Sequence, residues 1–140
     1  MHLAGRADLW SGRVTDIGLR NFTVGMFGRY QSTQQLTFVF QNLVLRLLID
    51  NPNTARYDIR YWRTKNRAEV DFVLKGADIV IPVECKCQRL AEPKITRSMK
   101  SFIDVYRPTE AWIVNLTLRQ DIMVNETTVK FMPFWELLVG

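Results

Sequence analysis

One stretch, residues 69–86, constrains the fold of this chain more than any other part of its sequence. Two β-rich runs, residues 69–75 and 79–86, flank a short turn segment, Gly76-Ala77-Asp78. Runs of this length and composition around a glycine-containing turn are typical of a β-hairpin. The chain is therefore expected to contain a sheet in which these two strands are neighbours.

The two faces of this hairpin are expected to differ, because side chains alternate between the faces of a strand. One face would be mainly polar and would carry Glu69, Asp71, Val73, Pro82, Glu84 and Lys86. The other would be apolar and would carry Val70, Phe72, Leu74, Val83, Cys85 and Cys87. The apolar face suits a core, so the charged residues need another explanation.

The charged face of the hairpin predicts a metal site. If the hairpin loop has four residues, Asp71 lies opposite Glu84, and two residues further from the loop Glu69 lies opposite Lys86. A loop of two residues would change these pairs but would leave the same side chains on the same face of the hairpin. Opposed residues have Cβ atoms about 4.5–5.5 Å apart, close enough for two carboxylates to share one divalent cation. Hard oxygen ligands suit Mg²⁺ or Mn²⁺, and Lys86 could polarise a water or neutralise charge on a phosphoryl oxygen. This arrangement of acids and a lysine around a divalent cation predicts hydrolysis of phosphodiester bonds.

The residues of the predicted metal site also resemble the sequence signature of a known protein family. Asp71, a gap of twelve residues and then Glu84-Cys85-Lys86 resemble the D…ExK signature of the PD-(D/E)XK nuclease superfamily. Within that superfamily, the chain resembles the uncharacterised nuclease-like domain at the C-terminus of many prokaryotic AAA+ ATPases. The segments that carry this resemblance are residues 14–21, 61–65, 69–73 and 81–86, and it extends over roughly residues 14–137.

The resemblance implies a metal-dependent endonuclease acting on DNA. Asp71 and Glu84 would bind Mg²⁺ or Mn²⁺, Lys86 would complete the catalytic set, and Glu69 and Gln41 would be accessory. The family typically has a glutamate where this chain has Gln41, and an amide carries no charge, so metal affinity should fall or the site is inactive. The alternative is a catalytically degenerate interaction module, a partner or fragment of an AAA+ ATPase. A third reading treats these residues as a structural charge network.

The rest of the chain predicts an α/β fold. A helix is expected from Ser32 or Thr33 to the Asn51-Pro52 stop, and a strand over 56–63. A second, amphipathic helix is expected over 92–106, and a buried strand over 111–116, with a further strand pair and a short closing helix. The apolar positions expected to define the first helix are Leu36, Phe40, Leu43, Val44 and Leu47. The order αβββαβ, with a mixed central sheet, predicts a three-layer α/β/α architecture, which is also the restriction-endonuclease-like core that the resemblance implies.

Basic residues are candidates for nucleic-acid contact. The formal net charge is +5 and the pI is about 9.5, which favours approach to a polyanion. The candidates are Arg63, Lys65, Arg67, Lys94, Arg97 and Lys100. Tyr61 and Trp62 lie between Arg60 and Arg63 and could stack on bases. The competing interpretation is a solvated strand edge with its aromatic rings in the core and a solvated helix face.

Length and composition predict one domain over residues 1–140, with 1–13 as a flexible or extended lead-in. No apolar run is long enough for a membrane span and the N-terminus does not read as a signal peptide, so a cytoplasmic protein without membrane contact is expected. The two cysteines are expected to be reduced thiols. The sequence contains no glycine-rich phosphate loop, so it does not include an ATPase module. Two alternatives follow: a stand-alone protein, which could form a dimer, or a fragment of an ATPase.

Overall fold

The computed structural model describes residues 8–13 and 33–138. The elements are β1 (Asp8–Arg13), α1 (Thr33–Asp50), β2 (Asp58–Thr64), β3 (Glu69–Lys75), β4 (Val80–Cys85), α2 (Arg97–Tyr106), β5 (Glu110–Asn115), β6 (Gln120–Val124), β7 (Thr127–Pro133) and a 3₁₀ helix (Phe134–Leu138). One seven-stranded sheet has the order β1-β2-β3-β4-β5-β7-β6. Helix α1 packs in one core cluster with strands of this sheet, and α2 packs in two others. The α/β expectation and the αβββαβ order from α1 to β5 are thereby confirmed.

Helix α1 begins and ends where the sequence predicted. Its buried side is centred on Phe40, Val44 and Leu48, which recur every four residues and pack against β3 and β4. Leu36 was expected on this side but is 45% exposed, because the buried arc is rotated toward Leu45 and Leu48. After the helix, the Asn51 side chain donates to the carbonyl of Leu137 at 3.0 Å, which ties the end of α1 to the 3₁₀ helix.

Strands β2, β3 and β4 form an antiparallel meander. Lys75 pairs with Val80 and Phe72 with Val83, the register that a four-residue hairpin loop requires. In the ladder between β2 and β3, the register shifts between the pairs Arg60↔Val73 and Trp62↔Val70. Three steps along β3 therefore match two along β2, so β3 contains one extra residue, a β-bulge, next to Asp71.

The bulge corrects one prediction about the hairpin faces. Val70 and Val73 both belong to the cluster around Trp62 and α2, whereas Phe72 belongs to the α1 cluster. Strict alternation would have placed Val70 with Phe72 and Asp71 with Val73. The extra residue interrupts this alternation, so the expected single apolar face is wrong for Val70.

Helix α2 starts later than predicted. The expected first-turn residue, Pro93, precedes the helix, and Thr96 is the N-cap, with its hydroxyl oxygen accepting from the Met99 N–H at 3.1 Å. The apolar side is buried as expected, and the helix ends at Arg107 in the left-handed conformation, directly before Pro108. Trp62 is fully buried and donates its indole N–H to the Tyr106 hydroxyl at 3.2 Å. Base stacking by Trp62 is therefore excluded.

The C-terminal half completes a mixed sheet. Strand β5 runs parallel to β4, and helix α2 connects the two strands. Strand β7 runs parallel to β5 and antiparallel to β6. The expected final strand pair and short closing helix are confirmed. Both cysteines are free thiols, Cys85 buried and Cys87 half-buried.

Part of the expected lead-in belongs to the sheet, since β1 pairs antiparallel with β2 at its edge. The motif at residues 14–21 lies outside the described residues. Within the ranges 8–13 and 33–138, no helix has the length and apolar character needed to cross a membrane.

Candidate metal and phosphodiester site

Asp71 lies at the bulge of β3, where the β3–β4 ladder ends. The last pair of that ladder is Phe72↔Val83, so the next step in the same register places Asp71 beside Glu84. The carboxylate of Asp71 accepts two hydrogen bonds, from the Gln41 side-chain amide at 2.9 Å and from the Cys85 backbone N–H at 2.8 Å. It therefore connects α1 with the end of β4.

Burial makes ionisation of Asp71 unfavourable. It raises the pKa of this carboxyl from 3.8 to about 6, against the opposing effect of the hydrogen bond from Cys85. The negative charge of Glu69 raises the pKa further, and the positive charge of Lys86 lowers it. Asp71 is thus an acid for which a bound cation would be strongly stabilising.

Glu84 is the second acid of the site and is only 8% exposed. The Thr96 hydroxyl lies 3.0 Å and 2.9 Å from its two carboxylate oxygens and donates to them. The Lys86 ammonium is 4.0 Å from one of those oxygens, at the limit of an ion pair. Glu84 is therefore positioned by the N-cap of α2, and its charge is only loosely compensated.

The ionisation of Glu84 is perturbed in the same direction. Burial raises the pKa of Glu84, while Lys86 and the hydroxyl of Thr96 lower it and the charge of Asp71 raises it. Lys86 itself follows β4 directly, and its backbone N–H donates to the carbonyl of Val114 at 2.8 Å. Asp71, Glu84 and Lys86 are thus brought into electrostatic contact at one end of the hairpin, as the sequence predicted.

Glu69 acts on Asp71 through its charge but is not placed in the hairpin as expected. Instead of facing Lys86, it pairs with Arg63 of β2, and its carboxylate lies 3.4 Å from the Arg63 guanidinium. Both side chains are largely exposed. Its backbone N–H donates to the Ser98 hydroxyl at 3.1 Å, so the start of β3 is held against α2. The reason for the difference is that β3 pairs with β4 only from Phe72 onward, whereas Glu69 and Val70 pair with β2 alone.

The donor set fits a hard divalent cation only in part. Among the side chains that the structure describes, residues 33–138, no three acidic, histidine or cysteine groups converge on one metal position. Two carboxylates, Asp71 and Glu84, could provide oxygen ligands, and Mg²⁺ commonly uses one or two carboxylates with waters and phosphate oxygens. Gln41 presents its NH₂ group to Asp71 and acts here as a hydrogen-bond donor. It could become a ligand only by turning its carbonyl oxygen inward.

A cleft of about 260 Å³ opens beside Asp71. The described residues that line it are Gln41, Tyr61, Arg63, Glu69, Val70, Asp71 and Phe72. Its outer wall is formed by Tyr61 and Arg63, with the guanidinium carbon 5.6 Å from the centroid of the tyrosine ring. The acid of β3 is therefore accessible from a small cleft that has both aromatic and cationic character.

The other predicted basic residues border the site on two sides. Lys65 and Arg67 are exposed in the turn between β2 and β3, and Arg67 has a positive φ of 64°. Lys94, paired with Glu92 at 3.1 Å, and the exposed Arg97 and Lys100 surround the start of α2. Because Thr96 contacts Glu84 and Ser98 contacts Glu69, this helix start lies next to the acids.

Sequence reasoning missed Thr96 and Ser98, the two hydroxyl residues that hold the site to α2. Thr96 is an N-cap, and a threonine just before the apolar periodicity of Met99, Phe102 and Ile103 is a recognisable start signal. The competing signal from Pro93 led to an earlier boundary and hid this role. No pattern within the sequence connects Ser98 with Glu69.

Comparison with known proteins gives the family of the chain. No curated protein matches it. The family described as "Domain of unknown function (DUF4143)" matches residues 36–137, which include most of α1, strands β2 to β7 and helix α2. This match extends over well more than half of the sequence. The chain therefore belongs to the DUF4143 family, a domain that usually occurs with AAA+ ATPase-like proteins.

Proposed function

We propose that this protein is a metal-dependent endonuclease-like domain that hydrolyses DNA phosphodiester bonds. The observation that carries the proposal is the meeting of two carboxylates, the half-buried Asp71 and the buried Glu84, with one nearby lysine at the open end of a hairpin. Buried acids without close cationic partners favour binding of a cation. The resemblance of Asp71, Glu84 and Lys86 to the PD-(D/E)XK signature supports the same chemistry.

In this proposal each residue has a defined role. Asp71 and Glu84 would hold Mg²⁺ or Mn²⁺, which when bound supplies Lewis acidity toward a phosphoryl oxygen and a water. The Lys86 ammonium, on the same strand end, would orient the attacking water or neutralise the charge that develops on the phosphate. The Cys85 N–H and the Thr96 hydroxyl keep the two carboxylates in place through their hydrogen bonds. The basic residues around the site would bind the DNA backbone.

Calorimetric titration with Mn²⁺ tests the site without the need to guess a substrate. We expect the wild type to bind Mn²⁺ and both Asp71→Ala and Glu84→Ala to lose binding, because each removes one of two charged ligands. Glu92→Ala is a matched control, since it removes an exposed acid that is paired with Lys94 outside the site. Binding should then be followed by cleavage assays on single-stranded, duplex and branched DNA. Loss of binding in the control as well, or no binding in the wild type, would contradict the proposal.

Gln41 favours a second candidate function, an interaction module that keeps the fold without the chemistry. Its amide donates to Asp71 at 2.9 Å and so satisfies this acid without any cation. The module would fold without metal, bind Mn²⁺ negligibly, and contact an AAA+ ATPase partner. Gln41→Glu separates the candidates in the same titration. Strong Mn²⁺ binding in this variant and none in the wild type would identify a site that has lost its metal.

A further inference from the structure

The cleft beside Asp71 has a chemical character that hydrolysis alone does not require. Tyr61 is half-buried in its wall, and the Arg63 side chain, 64% exposed, lies over the tyrosine ring. Aromatic rings and guanidinium planes are the protein surfaces on which unpaired nucleobases stack. The guanidinium is also positively charged, which suits the phosphate attached to such a base.

The size of the cleft limits what can enter it. Its volume of about 260 Å³ lies below the range of about 300–1,000 Å³ that is usual for pockets that bury drug-sized ligands. The cleft can thus admit a single planar ring system but not a double helix. In a duplex, the faces of each base are covered by its neighbours in the stack. A base that stacks on Tyr61 must therefore be unpaired or extruded.

We propose that this cleft binds one unpaired nucleobase, so that the preferred ligand is single-stranded or locally unpaired DNA. The choice of DNA rests on the proposed function, which the inference deepens by naming a substrate class. Asp71 lines the same cleft as Tyr61 and Arg63, so the phosphodiester that adjoins the bound base lies next to the acid. Recognition of the base would then determine which bond lies at the site.

Fluorescence anisotropy measures this recognition separately from catalysis. The probes are a labelled mixed-sequence single strand and the same sequence as a blunt duplex, both in EDTA without divalent cations. Because stacking on an aromatic ring is lost, Tyr61→Leu should weaken binding of the single strand by on the order of tenfold and leave duplex binding unchanged. Tyr61→Phe keeps the ring and should bind both probes as the wild type does.

A second variant separates stacking from charge. Arg63→Lys keeps the positive charge at an exposed position but removes the guanidinium plane, so it should selectively weaken binding of the single strand.

Tyr57 provides a matched control for Tyr61, because the Arg56 guanidinium carbon lies 5.0 Å from the centroid of its ring in the same manner. Tyr57 precedes β2, at the opposite end of that strand from the cleft, so Tyr57→Leu should leave both affinities unchanged.

Several results would overturn the inference. The first is that Tyr61→Leu loses as much affinity for the duplex as for the single strand. The second is that Tyr61→Phe loses as much affinity for the single strand as Tyr61→Leu does. The third is that the wild type binds the duplex more tightly than the single strand. Failure of the inference and failure of the proposed function are distinguishable. Mn²⁺ binding without selective single-strand binding would refute the base site alone. Selective binding that depends on Tyr61, without any metal binding, would refute hydrolysis alone.

Discussion

At the scale of single residues, the ionisation of Asp71 leads to a prediction about stability and pH. Folding raises the pKa of Asp71 from its ordinary value of 3.8, which applies to the unfolded chain, to about 6. Between these two pH values the folded state therefore binds more protons than the unfolded state. Without metal, the free energy of unfolding should therefore decrease as the pH rises through this window. Since one pKa unit corresponds to about 1.4 kcal/mol, the expected loss is on the order of 3 kcal/mol.

Denaturant unfolding in EDTA, across the same pH window, measures this loss. Asp71→Asn removes the ionisation while Gln41 can turn its amide to keep a hydrogen bond, so this variant should lack the Asp71 contribution. Glu69, Glu84 and Lys86 remain in both proteins, so the difference between the two profiles reports the ionisation of Asp71 together with its electrostatic effect on Glu84. Profiles that run parallel from about pH 4 to about pH 8 would show that folding does not raise the pKa of Asp71.

How far single residues could be predicted depends on whether their partners are local. Asp71, Glu84 and Lys86 belong to one hairpin, and loop length alone is enough to bring them together. The role of Glu69 could not be predicted, because the hairpin pattern contains no sign of the bulge, which accompanies the packing of Val70 and Val73 with Trp62 and α2. The burial of Trp62 likewise depends on Tyr106, a residue remote in sequence.

At the scale of elements, α2 and the site share one hydroxyl group. Thr96 caps the helix through the Met99 N–H and donates to Glu84. Thr96→Ala should lower the free energy of unfolding by about 1–2 kcal/mol, because it removes a cap and leaves a buried carboxylate with one partner fewer. Chemical denaturation measures the change.

Thr96→Ser keeps the hydroxyl and is the matched control for this variant. It should retain most of the stability and any Mn²⁺ affinity of the wild type, whereas Thr96→Ala should weaken both. A serine variant as unstable as the alanine variant would assign the effect to the lost methyl group rather than to the hydrogen bonds.

Element boundaries were predictable where the sequence contains one unambiguous signal. Helix α1 ends at the Asn51-Pro52 stop, and the β3–β4 loop follows from Gly76-Ala77-Asp78. Helix α2 has two start signals, Pro93 and Thr96, and hydrogen bonding to Glu84 and Met99 favours the second. This choice depends on a tertiary contact, which local pattern does not include.

At the scale of the whole molecule, the arrangement of basic groups predicts a salt dependence. If Lys65 and Lys100 contact phosphates, each alanine variant should reduce the slope of log affinity against log salt by about 0.7 for single-stranded DNA. Lys130→Ala is the control with the same change in net charge, because Lys130 lies on β7 and pairs with Glu110 at 3.4 Å. Titration of anisotropy against salt gives the slopes. An equal reduction in the control would indicate a general charge effect.

The pairing of β1 with β2 has a consequence for the order of folding. It joins residue 10 to residue 62, whereas β2, β3 and β4 follow one another with short loops. Closing a long loop has a larger entropic penalty, and pairs distant in sequence generally slow folding. The meander that contains Asp71 and Glu84 is therefore expected to form early and the N-terminal strand to add to its edge late. Until it does, β2 exposes unpaired backbone groups, and a newly made chain passes through a stage prone to self-association.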